Sequence, residues 1–134
     1  DLKKQDTFSD RLTLFLLHFA FFLKNFKNKE DKIILQKIYD FDFRQIELSI
    51  REIGYGDVSV NKKMKDYVNL FYSILEKIEN WDTFDGSKKT KLLGDLMNIK
   101  EDNVSFIEYF DKYSHFLSKN SLKNFTKDII EFKF

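Results

Sequence analysis

No proline and only four glycines interrupt this chain of 134 residues. Proline removes a backbone donor and clashes with the preceding helical turn, and an interior glycine costs about 1 kcal/mol relative to alanine. A chain nearly free of both has few obligatory breaks, which predicts an all-α fold with short connections. The expectation is a single compact domain, residues 1–134, of five to six helices around a central apolar first helix. At 43% apolar residues the chain can bury roughly two thirds of its unfolded surface, as a domain of this size does. It begins at Asp1 rather than Met, so an N-terminal segment is expected to be missing.

The absence of cysteine excludes disulfides and thiolate metal sites, and two histidines far apart give no zinc-ligand spacing. With 34% charged residues but a net charge of +1, the chain lacks the overall basic excess of a general nucleic-acid binder, so an electrostatic partner has to be met by a local patch. The sixteen phenylalanines accompany abundant Ile, Lys, Asn and Tyr, a mixture that codon bias in an AT-rich genome produces without functional meaning.

The first helix is expected over "DTFSDRLTLFLLHFAFFLKNFKN", capped by Asp6 or Thr7 and apolar on nearly every side from Leu12 to Leu23. That run of twelve residues would be about 18 Å long as a helix, against roughly 30 Å of hydrocarbon, so it reads as a buried helix rather than a membrane span. A second helix is predicted from about Glu30 to Ile53, with one stripe of Ile34, Ile38, Phe41 and Leu48 and another of Phe43, Ile46, Ile50 and Ile53, each facing a neighbour. Gly54 stands where a helix end favours a left-handed residue. The third helix is marked by Val60, Met64, Tyr67, Phe71, Leu75 and Ile78, with Ser59 as its expected N-cap. "ENWDTFDGSKK" reads as the longest loop. A short helix capped by Ser87 follows, carrying Leu92, Leu93, Leu96 and Met97. A fifth helix after Asn103 turns Phe106, Ile107, Phe110, Tyr113 and Leu117 inward, a last one starts at Ser121, and the terminal "IIEFKF" alternates too strictly for a helix.

Enzymatic chemistry finds little support. "GYGDVSVNKK" has Ser59 where a dinucleotide fingerprint needs its third glycine and lacks the Gly-Lys-Ser/Thr of a phosphate loop. "WDTFDGSKK" puts Trp81 and Leu92 where a calcium loop needs carboxylates, so it reads as a plain turn. His18, in the most apolar helix, reads as a hydrogen-bonded core residue, and His115 as a residue on a helix flank. Asp40 and Asp42 do not share a helical face, and with Glu47 they read as solvated charge. Lys62, Lys63 and Lys65 stand out because cations in the first turns of a helix oppose its dipole by a few tenths to about 1 kcal/mol each. With Val60 and Phe71 turned inward, Lys62, Lys65 and Asn69 point outward together with Lys63 on the flank, a patch suited to RNA, acidic lipid or an acidic protein.

One ordered set of residues resembles a known family. Arg51, Glu52, Gly54, Gly56 and Asp57, then Val60, Lys62, Lys63, Met64 and Lys65, then Phe71 and Tyr72, resemble the signature of the ubiquinol-cytochrome c chaperone family. Those proteins are bacterial relatives of the mitochondrial factor that assembles cytochrome b. Asp6-Thr7 and Arg11 ahead of Leu17-His18 are a second similarity, and together they cover about residues 6 to 80. The chain departs from the family pattern at Asp10, where glycine commonly precedes the arginine, at Asn61, and in "IIEFKF", which lacks the usual proline and glycine.

The resemblance implies a non-enzymatic assembly chaperone for cytochrome b of respiratory complex III, without cofactor or metal. It would hold the newly made apolar client, with the ribosome at the tunnel exit and a small co-chaperone as further partners and peripheral contact with the membrane. The implied location is the cytoplasmic face of a bacterial inner membrane, or the matrix side in a mitochondrion. The candidate partner-binding residues are Arg51, Asp57, Lys62, Lys63, Lys65 and Tyr72. The competing expectation is a helical adaptor that binds acidic lipid or protein surfaces through the basic patch.

Overall fold

A computed structural model describes residues 7–27, 32–98 and 104–119. It is all-α: α1 Thr7–Phe26, α2 Lys32–Ile53, α3 Asp57–Ile78, α4 Gly86–Met97 and α5 Val104–Lys119, with a 3-10 turn at Trp81–Thr83 between α3 and α4. Asp6, Glu30, the helix expected from Ser121 and the "IIEFKF" terminus lie outside the described residues.

Helix α1 is the central element, in contact with all four other helices. Leu16, Leu17, Ala20, Phe21 and Phe26 are fully buried, which is what a helix apolar on nearly every side achieves only by being surrounded. Complete burial of each Leu or Phe contributes about 1.5–3 kcal/mol. Toward α2 and α3 the packing is aromatic. Phe19 stacks on Phe71 with ring centroids 5.0 Å apart, and Phe43 meets Phe71 edge-on at 5.5 Å. Toward α5, Phe21 stacks on Phe110 at 5.0 Å while its other side meets Trp81 edge-on at 5.2 Å. Among the described residues no helix is long and apolar enough to cross a membrane.

Several local expectations are corrected. Helix α3 starts at Asp57 and is capped by the extended Gly56, with no side-chain cap bond; its first ladder bond runs from the Val60 N–H to the Gly56 carbonyl. Ser59 therefore sits inside the first turn. The acid at the positive helix end is Asp57, a placement that favours the dipole. Helix α4 is capped by Asp85, whose carboxylate accepts from the Lys88 backbone N–H at 2.8 Å, so Ser87 is not its cap. The left-handed Asn98 closes α4.

The "ENWDTFDGSKK" segment is more than a turn. Trp81 is completely buried, and its indole N–H donates to Asp111 of α5 at 2.9 Å. On α2, the stripe of Phe43, Ile46 and Ile50 is buried together with Leu35. The other stripe does not find a neighbour: Ile34, Phe41 and Leu48 are 45%, 63% and 39% exposed, with Ile38 partly buried, and Ile53 too is exposed at the helix end. The periodic pattern identified both stripes, but the other helices cover only one of them, and Ile38 alone of the other packs partly against the core.

Candidate partner-binding surface

The α2–α3 corner is built around Gly54, whose φ of +107° is a conformation that glycine adopts without strain. Its N–H donates to the Arg51 carbonyl at 3.0 Å, ending α2, and Gly56 in extended conformation launches α3. Across this turn Arg51 Nη1 donates to Asp57 Oδ1 at 2.6 Å, while Nη2 lies 3.9 Å from Glu47, which also faces Arg44 at 3.7 Å. The hydrogen bond to Asp57 holds the Arg51 guanidinium above its ordinary pKa. Two of the expected partner-binding residues, Arg51 and Asp57, are thus engaged with each other as a strap across the glycine turn. The pair is solvent-exposed, so it orients the corner more than it stabilises it.

Beyond the strap, Val60, Phe71, Ile74 and Ile78 of α3 are buried. The helical period then sets Val58, Lys62, Lys65, Asn69 and Tyr72 on the outer face, all of them exposed. Lys63 lies on the flank as expected, half-buried, with its ammonium 4.6 Å from the centre of the Tyr55 ring. That cation–π contact fixes Lys63 over the corner, while Lys62 and Lys65 make no ion pair among the described residues and point outward. Val58 is 85% exposed, and Ile53 and Tyr55 beside it are also uncovered. This apolar tip next to three lysines was not foreseen. Once Gly54 and Gly56 were read as a turn, the apolar residues between and beside them were the available signal for it.

Tyr72 closes the other end of the face. It lies against Tyr39 of α2, with ring centroids 6.4 Å apart, and burial together with a hydrogen bond that the Tyr39 hydroxyl donates to Tyr72 raises the Tyr39 hydroxyl well above its ordinary pKa. The two tyrosines border a groove of about 330 Å³ with Leu23, Lys27, Lys32 and Gln36. The surface therefore runs from an apolar and basic corner at Val58 to an aromatic groove at Tyr72. It offers cations, phenols and apolar contacts, which suits binding.

The two histidines do not assemble a reactive centre with the groups around them. His18 Nδ1 lies 2.7 Å from the Leu14 carbonyl, and Nε2 lies 2.6 Å from the Tyr109 hydroxyl. A carbonyl only accepts, so Nδ1 carries a proton and donates to Leu14, and Nε2 shares a hydrogen bond with the Tyr109 hydroxyl. Its partners are a carbonyl and a phenol, neither a carboxylate nor a lysine; the ring is hydrogen-bonded as expected but half-buried rather than in the core. Tyr113 packs on the same ring, and burial pushes its hydroxyl up to about 12. His115, exposed on α5, borders a polar cleft of about 540 Å³. The charges there are already paired: Lys24 with Asp82 at 3.2 Å, and Lys89 with Asp111 at 3.0 Å. No group of three or more metal-ligating side chains occurs among the described residues. Asp42 corrects the reading of a solvated face, because its half-buried carboxyl is pushed up to about 6 by desolvation.

No curated protein and no solved structure gives a significant match to this chain. Residues 1–92 match the family described as ubiquinol-cytochrome C chaperone. That stretch takes in α1, α2, α3 and the first half of α4, with the glycine corner, the lysines and Tyr72, whereas α5 lies beyond it. The match spans about two thirds of the 134 residues, and the chain belongs to the ubiquinol-cytochrome c chaperone family.

Proposed function

We propose that this protein is an assembly chaperone for cytochrome b of respiratory complex III, acting as a binding protein rather than an enzyme. The observation that carries the reading is the family match over residues 1–92, which includes every residue of the outer α3 face. A chaperone has to hold an apolar client without enclosing it. The Tyr39–Tyr72 groove and the uncovered Ile53, Tyr55 and Val58 supply apolar and aromatic contacts of that kind. Lys62 and Lys65 beside them would meet an anionic surface, and ribosomal RNA near the tunnel exit is the partner this reading assigns. The proposed place of action is the inner face of the bacterial inner membrane, or the matrix side in a mitochondrion, where cytochrome b is inserted.

A second reading is an adaptor that sits on acidic lipid. It is favoured by one observation, the 85% exposure of Val58 at the tip of a lysine-bearing corner, an arrangement that can seat apolar side chains among acidic head groups. Charge reversal of Lys62, Lys63 and Lys65 to Glu separates the two. Loss of ribosome co-sedimentation supports the chaperone reading, loss of binding to phosphatidylglycerol vesicles alone supports the adaptor, and retention of both removes the lysines from either account.

A further inference from the structure

The exposed face of α2 is periodic. Positions 34, 38, 41, 45, 48 and 52 alternate spacings of four and three, and carry Ile, Ile, Phe, Gln, Leu and Glu, all exposed except Ile38, which packs partly against the core. This is the heptad spacing of a seam that receives another helix. The opposite face of the same helix, with Phe43, Ile46 and Ile50, already lies in the core. We propose that the outer seam of α2 docks one helix of a partner protein, apolar along its own seam and acidic along the edge that meets Lys37 and Arg44.

Three observations select that occupant. First, the seam is only two residues wide at each turn and extends along a helix of 22 residues. That is about 33 Å, room for three heptads of a facing helix, whereas a bilayer surface calls for a broader apolar face. Second, Lys37, Arg44 and Arg51 stand seven residues apart along one edge. Arg51 is committed to Asp57 at 2.6 Å and Arg44 lies 3.7 Å from Glu47, while Lys37 makes no ion pair among the described residues. A second copy packed antiparallel would set this basic row against itself, so the charge pattern disfavours antiparallel self-pairing and complements an acidic helix. Third, the other edge of the seam continues into a groove of about 330 Å³ between α1 and α2, where Gln45 and Ile46 face Phe8, Arg11, Leu12 and Phe15. Phe15 is 40% exposed there, giving the incoming helix a second apolar contact. Gln45 at a seam position supplies the polar group that fixes register in such pairings. The seam is independent of the α3 face, sharing only the Arg51 position with it.

The test uses the whole chain and two labelled synthetic helices of three heptads, with Leu at the seam positions and either Glu or Lys at the flanking ones, read by fluorescence anisotropy. The Glu peptide is expected to bind at least 10-fold more tightly than the Lys peptide. Phe41→Asp, with unchanged far-UV circular dichroism, should weaken binding at least 10-fold, and Lys37→Glu with Arg44→Glu should reverse the preference. Equal binding of the two peptides, or binding indifferent to Phe41→Asp, overturns the proposal. Self-association in sedimentation that Phe41→Asp abolishes would assign the seam to a second copy. Phe41-dependent flotation with phosphatidylglycerol vesicles, without peptide binding, would assign it to a membrane.

Discussion

Phe71 is the residue on which the packing of α1, α2 and α3 converges. It is fully buried, stacked on Phe19 at 5.0 Å, edge-on to Phe43 at 5.5 Å, and within 6.0 Å of Tyr39 between ring centroids. Truncation to alanine removes the transfer free energy of the ring and leaves a void that the surrounding rings fill only partly, a loss of about 3–5 kcal/mol. Leucine keeps most of the volume and loses the ring geometry, so Phe71→Leu should cost only about 1–1.5 kcal/mol. Against a total stability of roughly 5–15 kcal/mol, the alanine variant is brought close to unfolding. Trp81 is the chain's one tryptophan and is fully buried, so its fluorescence reports urea unfolding directly. With a slope of about 2 kcal/mol per molar urea, the midpoint should fall by ~2 M for alanine and by under ~1 M for leucine. An alanine midpoint within about 0.5 M of the parent, at unchanged slope, would refute a core centred on this ring.

Other outcomes follow from single contacts. Gly54→Ala should destabilise by about 1 kcal/mol through its positive φ even though nothing crowds the position, whereas Gly56→Ala, with ordinary φ, should change stability by only a few tenths, as thermal melts would show. Asp85→Ala should cost about 1 kcal/mol by loss of the α4 cap, while Ser87→Ala stays within about 0.5 kcal/mol; equal effects would contradict the cap assignment. Asp42, pushed up to about 6 by burial, binds its proton more readily in the folded state than in the unfolded chain. Its contribution therefore makes stability fall as pH rises from about 4 to about 6, and Asp42→Asn should remove that slope from urea midpoints measured across this range.

The sequence made the helices legible because nothing competed with their periodicity, and the boundaries were decided by single residues. Ser59 and Ser87 are good capping residues in isolation, yet Gly56 and Asp85 precede them and the chain enters each helix earlier. At α3 the glycine turn and the Arg51–Asp57 strap fix the start, a contact between residues six apart that propensity does not encode. Trp81 was lost in a loop because its burial depends on Phe21 and Asp111, from helices remote in sequence. The two stripes of α2 were equally visible as patterns. Which one became core and which stayed outside depended on where α1 and α3 lie, and hydrophobic spacing carries no such information. The lysine face was legible for the opposite reason: Val60 and Phe71 fix the rotation of α3, and the outward direction of Lys62 and Lys65 follows from the helical period.

The proposed role of the outer α3 face in assembly of complex III is open to a direct test in cells. Deleting the chain's gene and complementing with either the parent chain or the Lys62→Glu, Lys63→Glu, Lys65→Glu variant, with assembled complex III and haem-loaded cytochrome b quantified, tests that role most directly. Loss of both is expected on deletion, with recovery by the parent chain and little or no recovery by the variant. Undiminished cytochrome b and complex III in the deletion strain would contradict the proposed role.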